Sequence, residues 1–296
     1  MIVIQPFKVT DSYLRSSNIS EVDYPEWSSV ETYSLGDRVI RLNDHKIYES
    51  LQDSNINKLP STEGTFWVVV GATNRWRMFD DIISDPSTNE ATIDVSIQAL
   101  GFVDTIAALN ISATSIRIII TNSYTGVVEY DVETVLTRQG EVRDWYAYFH
   151  VLPKFSDSYV ITGLPLIPDP IIRVIFSGVT VKVGELVLGL GIDLGNTQYG
   201  LSLGIVDYSL KSRDQFGNYF ITERAFSKRA NITLELYNID LDFIYKTLSD
   251  LRAKPTLYYS TTDYSSTWIY GIYKDFSITI QYPTVSICNL ELEGLT

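Results

Sequence analysis

The sequence predicts a mainly-β protein of 296 residues with one helix. It divides into an N-terminal arm (1–24), a small three-stranded module (25–72), a β-sandwich or jelly roll (73–190) and a C-terminal α+β domain (191–296). Three observations predict this. Tyr occurs 20 times and β-branched residues crowd most segments; both favour strands. Short apolar alternations recur between Gly, Asn and Asp turns, the pattern of all-β domains. A single segment, Leu241 to Ala253, carries apolar residues at helical spacing.

The elements follow in order. The arm opens with a strand at Ile2 to Val9 and continues as a polar stretch. In the module, turns at Gly36-Asp37 and Asn43-Asp44 flank strands Arg38 to Leu42 and Lys46 to Leu51. Ala91 to Gln98 alternates, with Ile93, Val95 and Ile97 on one face. Strands are then expected at Phe102 to Ala108, Ser115 to Thr121, Val127 to Val135, Trp145 to Leu152, Ser158 to Thr162, Ile171 to Phe176 and Thr180 to Leu188. Beyond residue 190, Gly204 to Tyr208 and Tyr219 to Arg224 are strand-like, and Ile232, Leu234 and Leu236 alternate. In the helix, Leu241, Ile244, Tyr245, Leu248 and Leu251 share one face. Asp240 or Asn238 can cap its start, and Pro255 stops it. Strands at Thr256 to Ser260, Thr267 to Tyr273, Asp275 to Tyr282 and Ser286 to Glu293 close the chain. One helix on a largely antiparallel sheet is α+β.

Composition excludes several functions. The net charge is −13, from 23 basic and 36 acidic residues. Binding nucleic acid through a basic face is not expected. Cys288 is the only cysteine, so no intramolecular disulfide or cysteine-based metal site is possible, and a buried, inert thiol is expected. No signal peptide is evident, and no run of roughly 18 apolar residues exists to span a membrane.

Two strings look catalytic. Gly200-Leu201-Ser202-Leu203-Gly204 matches a nucleophile elbow, which needs a helix after the Ser and a later His. Here Ile205 to Tyr208 continue as a strand, and both histidines, His45 and His150, precede Ser202. Gly191-Ile192-Asp193-Leu194-Gly195-Asn196-Thr197 resembles the first phosphate loop of sugar kinases and actin-like ATPases. That family has a two-lobed fold far longer than the residues remaining here, so a tight interdomain turn is the plainer reading. His45 is expected in solvent at a hairpin tip and His150 in a core. Neither enzyme activity nor a cofactor nor a metal is expected.

The aromatic block is the segment with a recognition chemistry. Pro25-Glu26-Trp27, Tyr33-Ser34-Leu35-Gly36-Asp37-Arg38-Val39, Ile47-Tyr48-Glu49-Ser50 and Phe66-Trp67-Val68 resemble the small chitin-binding carbohydrate modules. Sugar rings pack an apolar C–H face on flat aromatic rings, so Trp27, Tyr33, Tyr48 and Trp67 are the candidate glycan-binding residues. A module this small also needs those rings for a core. In the family, the turn, the following Tyr and the last Trp are largely scaffold. The positions of the exposed binding aromatics, here Glu49-Ser50-Leu51, carry no ring.

Asn74-Arg75-Trp76-Arg77-Met78-Phe79-Asp80 follows the module in an order that resembles tail proteins of tailed bacteriophages. Residues 91–190, with Phe102 to Asn110 and Val183-Gly184-Glu185-Leu186, look like a galactose-binding jelly roll. Arg224 to Arg229, the helix, Arg252 to Pro255 and Tyr270 to Phe276 resemble the C-terminal part of the same proteins. The order there is also similar to tail-tube and tail-hub folds. The resemblance implies a virion tail structural protein, made in the host cytoplasm, near the tip, baseplate, collar or fibre attachment. It would assemble as a ring with copies of itself and other tail proteins. The alternative is a carbohydrate-binding adhesion protein that recognises host surface glycan. Dense aromatics at Tyr264, Trp268, Tyr270, Tyr273 and Phe276 are the candidate assembly residues, since exposed Tyr and Trp are enriched at interfaces.

Overall fold

The computed structural model describes residues 1–136, 145–150, 155–260 and 264–295. With 51 % of residues in strands and 7 % helical, the protein is mainly β. The first 24 residues hold β1 (Ile2–Ile4) and β2 (Leu14–Ser17), which go to different sheets. β1 is an interior strand of the C-terminal sheet, and β2 is an edge of the middle sheet.

The small module contains β3 (Thr32–Tyr33), β4 (Arg38–Arg41), β5 (Lys46–Ser50), β6 (Asn55–Ile56) and β7 (Trp67–Ala72). Antiparallel β4-β5-β7 form a three-stranded sheet, and β3 pairs β6. Tyr33, Val39, Tyr48 and Trp67 are its buried core, with Trp27 and Phe66 packed against them.

The middle region contains β8 (Ser87–Gln98), β9 (Thr105–Ser112), β10 (Ser115–Thr121), β11 (Val128–Val135), α1 (Trp145–His150), β12 (Ser158–Ile161) and β13 (Ile171–Gly189). The expected strand at Trp145 to Leu152 is instead helical over 145–150; Leu152 and the side chain of His150 lie outside the described residues. The run Trp-Tyr-Ala-Tyr-Phe-His has no β-branched residue and no polar alternation, and Trp145 stacks on Phe149 one helical turn away. The two strands expected at 171–176 and 180–188 are one strand, β13, with a bulge between Ser177 and Thr180. Before the bulge β13 lies between β10 and β8; after it, between β8 and β9. One long strand therefore serves both parts of the seven-stranded sheet. The inward faces of β8, β9, β10 and β13, including Ile93, Val95 and Ile97, form the largest core.

The C-terminal region contains β14 (Gly191–Asp193), β15 (Asn196–Thr197), β16 (Ser202–Asp207), β17 (Leu210–Arg213), β18 (Tyr219–Thr222), β19 (Phe226–Tyr237), α2 (Leu241–Asp250), β20 (Thr256–Tyr259), β21 (Ile269–Thr279) and β22 (Val285–Gly294). The sheet order is β14-β1-β20-β21-β22-β19-β15, with β16 also on β19. Two expected strands again fuse: β21 runs through a bulge between Tyr273 and Asp275. α2 buries Ile244 and Leu248 on the sheet, while Tyr245 is exposed and meets Phe276 edge-to-face. Neither proposed cap makes a side-chain bond to the helix start. The Asn238 amide donates to the Tyr282 carbonyl and its oxygen accepts from Ser286, so it staples the β21–β22 turn instead.

The two large sheets meet through a third apolar layer. Ile4 of β1, Ala107 and Leu109 of β9, Val187 of β13, Leu257 and Tyr259 of β20, and Tyr270 of β21 are buried together. β9 and the end of β13 are thus covered on both faces, as parallel-sheet strands usually are and half-exposed antiparallel ones are not.

Candidate functional site

The module's rings are placed first by its size. Trp67 is buried and its indole N–H donates to the Lys58 carbonyl at 2.9 Å. Tyr33 meets it edge-to-face at 5.2 Å, and its hydroxyl accepts from the Ser28 amide at 2.8 Å. Tyr48 is buried with its hydroxyl donating to Asp44 at 2.6 Å; burial, then that carboxylate, pushes its pKa up to about 12. Trp27 is half-buried. The four candidate glycan-binding residues are together, but as the core: three turn inward and offer no ring face to a sugar.

The hairpin tip does not leave His45 in solvent. The ring stacks on Trp76 at 4.3 Å, and its two nitrogens lie 2.8 Å from Asp11 and 2.8 Å from Glu21. Glu21 also accepts from Thr73 at 2.7 Å. His45 therefore ties the module to the arm and to the start of the middle region. Asn74 completes the junction: its amide bonds Thr88 in both directions at 2.8 Å, and its backbone N–H donates to Asp23.

The five candidate assembly residues separate. Tyr264 is exposed. Tyr270 is buried in the layer between the sheets, with Trp268 packed against it. Tyr273 and Phe276 pack on the core under α2, the Tyr273 hydroxyl donating to the Leu248 carbonyl at 2.8 Å. Other exposed aromatics of this region include Phe216, Tyr219 and Phe220 in the β17–β18 hairpin and Tyr237, Phe243 and Tyr282 at the α2 end of the sheet. Alternation does not reveal this, because it gives the two faces of a strand without saying which face a second layer covers.

At the seam lies a cleft of about 260 Å³, with Phe226, Lys228 and Trp268 on one side and Asn110 and Asp157 on the other. Beside it Glu185 is buried, accepting from the Asp81 amide at 3.2 Å, while the Tyr270 hydroxyl donates to Asp81. Burial, then the charges of Asp81 and Asp80, hold the Glu185 carboxyl well above the usual range. Burial likewise raises Asp80 to about 6.

The two catalytic-looking strings lie on strands and turns of the C-terminal sheet. Ser202 opens β16, a strand, with no elbow turning into a helix. Asp193 pairs with Ile2 in the sheet and accepts from the Gly195 amide at 2.9 Å, turned onto its own loop. Cys288 is buried and burial raises its thiol to about 11. Among the described residues no helix is long and apolar enough to cross a membrane. No protein-family model matches the chain, and no curated protein matches its sequence.

Proposed function

We propose that this chain is a non-enzymatic structural component of a bacteriophage tail, near the tail tip, baseplate or fibre attachment, assembling with other tail proteins and with copies of itself as a ring. The observation that carries the reading is the apolar layer between the two large sheets. It joins them with a buried surface of the kind found inside single domains, and the His45–Glu21–Asn74 junction fixes the small module to the same body. A body that transmits force gains from such joints, whereas binding modules on a string do not need them. The sequence resemblance supplies the tail; the joints support a building element.

Host-glycan adhesion is the second reading. It is favoured by the seam cleft, where an indole and a phenyl ring stand across from amide and carboxylate groups. That is the residue chemistry a sugar requires, whereas the module's buried rings do not provide it. The test is mass spectrometry and antibody-labelled electron microscopy of the phage particle whose genome encodes the chain. Labelling confined to the tail supports the first reading. A chain missing from particles, with array binding to one glycan class, replaces it with the second.

A further inference from the structure

We propose that residues 80–86 are a pH-released strap across the seam between the two large sheets. The strap stays closed while Asp80 and Glu185 are protonated. It lifts when they ionise, and so opens the cleft beside it. This goes beyond the assembly reading and does not depend on it.

The segment joins a short helical turn, Arg77–Phe79, to β8, and has no helix or strand of its own. It is tied to both sheets. On the middle sheet, its Asp81 amide donates to Glu185 of β13 at 3.2 Å, and the Asn110 side chain of β9 donates to the Ile83 carbonyl at 2.7 Å. On the C-terminal sheet, the Tyr270 hydroxyl of β21 donates to the Asp81 carboxylate. The backbone turns at Asp81, at a φ of 66°, and that one residue bonds both sheets. Ile83 and Ser84 of the strap wall the seam cleft, and Tyr270 lines it too. Lifting the strap therefore removes a wall of the cleft and frees the Tyr270 hydroxyl.

The groups around the strap oppose ionisation. Glu185 meets the charges of Asp81 and Asp80 from the strap, and no cation acts on it. From β21 it is faced by Tyr270, whose phenol burial and the Glu185 charge hold protonated above its usual range. Asn110 of β9 brings no charge. Asp80 is opposed by Asp85 and Asp81 and favoured by Arg77, but Arg77 is bonded to Asp85 at 2.9 Å. One Asp80 oxygen accepts from the Ile82 amide at 2.9 Å; the other is buried with no partner among the described residues. A carboxylate ionised in such a place loses hydration that nothing replaces. The Asp81 amide favours ionised Glu185, yet burial and the two neighbouring carboxylates outweigh it.

The direction follows from linkage. In the closed strap Asp80 titrates at about 6 and Glu185 well above its usual value. Lifted into water, both return to ordinary carboxylates. The closed form is therefore favoured in acid, and the preference is lost as pH rises from the ordinary carboxylate range through the raised values. Within that window each group makes opening more favourable by up to about tenfold per pH unit.

The test is hydrogen exchange on the full chain, read by NMR at the Asp81 and Ile82 amides and corrected for the intrinsic rate at each pH. Circular dichroism confirms folding. From pH 5 to 7.5 the protection of these amides is expected to fall by about tenfold or more, while Ile116–Ile120 of β10 keep theirs. Glu185→Gln and Asp80→Asn should each shrink the fall, and the double variant should remove it. Spin labels at Ser84→Cys and Ser266→Cys, on either side of the seam, should move apart over the same range; the native Cys288 is buried. Protection that does not change with pH, a fall that survives in the double variant, or labels that stay in place overturns the proposal. So does an equal loss at β10, which would be unfolding of the domain rather than release of the strap. Should the double variant fail to fold, the single variants decide: a full fall in both sinks the idea.

Discussion

His45 is held between Asp11 and Glu21 while its ring stacks on Trp76. Burial lowers its pKa, but hydrogen bonds to the two carboxylates outweigh that, so the net shift is upward. A histidine with a raised folded pKa contributes stability that is full below about 6.5 and is lost as pH rises through the folded value. His45→Gln is therefore expected to cost roughly 1 kcal/mol of stability at pH 6 for a partly exposed pair, read as a lower melting temperature, and much less at pH 8.5. Equal losses at the two pH values would mean the ring acts by packing alone. Trp67→Ala removes the largest ring of the module's core and its bond to Lys58, and should cost about 3–5 kcal/mol. Loss of the module's amide signals by NMR checks this; a folded module with weakened glycan retention would instead make Trp67 a binding residue. The core role was legible, because so short a segment has few other large side chains to bury. The role of His45 was not, since its partners lie 34 and 24 residues away in the arm.

At the scale of elements, alternation located the strands well and their ends poorly. Ser115–Thr121 has its expected bounds, and Ile93, Val95 and Ile97 face the core as a period of two requires. Two of the misses share a cause. Gly178 and Lys274 break the pattern and suggest a strand end, but each marks a bulge in a strand that continues. β17 was missed because Leu210-Lys211-Ser212-Arg213 has no apolar face, being exposed throughout. Gly184 shows an element constrained by its neighbour: a Cβ there would lie 2.5 Å from the Ile83 carbonyl oxygen and 2.9 Å from that of Leu109. Both contacts are backbone, so β13 must shift to admit a side chain. Gly184→Ala is expected to cost about 1–3 kcal/mol, read as a lower urea midpoint with unchanged slope. A neutral result would show that the strand yields there.

At the scale of the molecule, the layer between the sheets decides whether the large domains unfold as one. Ile4, Val187 and Leu257 are all at 0 % exposure, and each belongs to a different part of the chain. The sequence hid this layer because Glu185 interrupts the apolar run Val183 to Leu188 and makes it read as a one-sided strand. That carboxylate is also the means of testing the layer. Glu185 is 3 % exposed and faces Asp81, Asp80 and Tyr270, with no basic partner among its hydrogen bonds. Arg77, the nearest cation in that segment, is taken by Asp85 at 2.9 Å. The folded protein thus favours the protonated acid. At low pH both folded and unfolded chains carry the proton, and no penalty arises. As pH rises above the ordinary carboxylate range, the unfolded chain ionises first, and stability falls until the folded pKa is passed. Glu185→Gln keeps an acceptor for the Asp81 amide and removes the ionisation. The variant is expected to melt higher than the wild type at pH 7–8 and at the same temperature near pH 4. If the layer joins the two large domains, the gain should appear in one shared transition followed by tryptophan fluorescence and circular dichroism alike. Two transitions, with only the middle domain's moved, would show that the sheets melt separately and that the layer does not couple them.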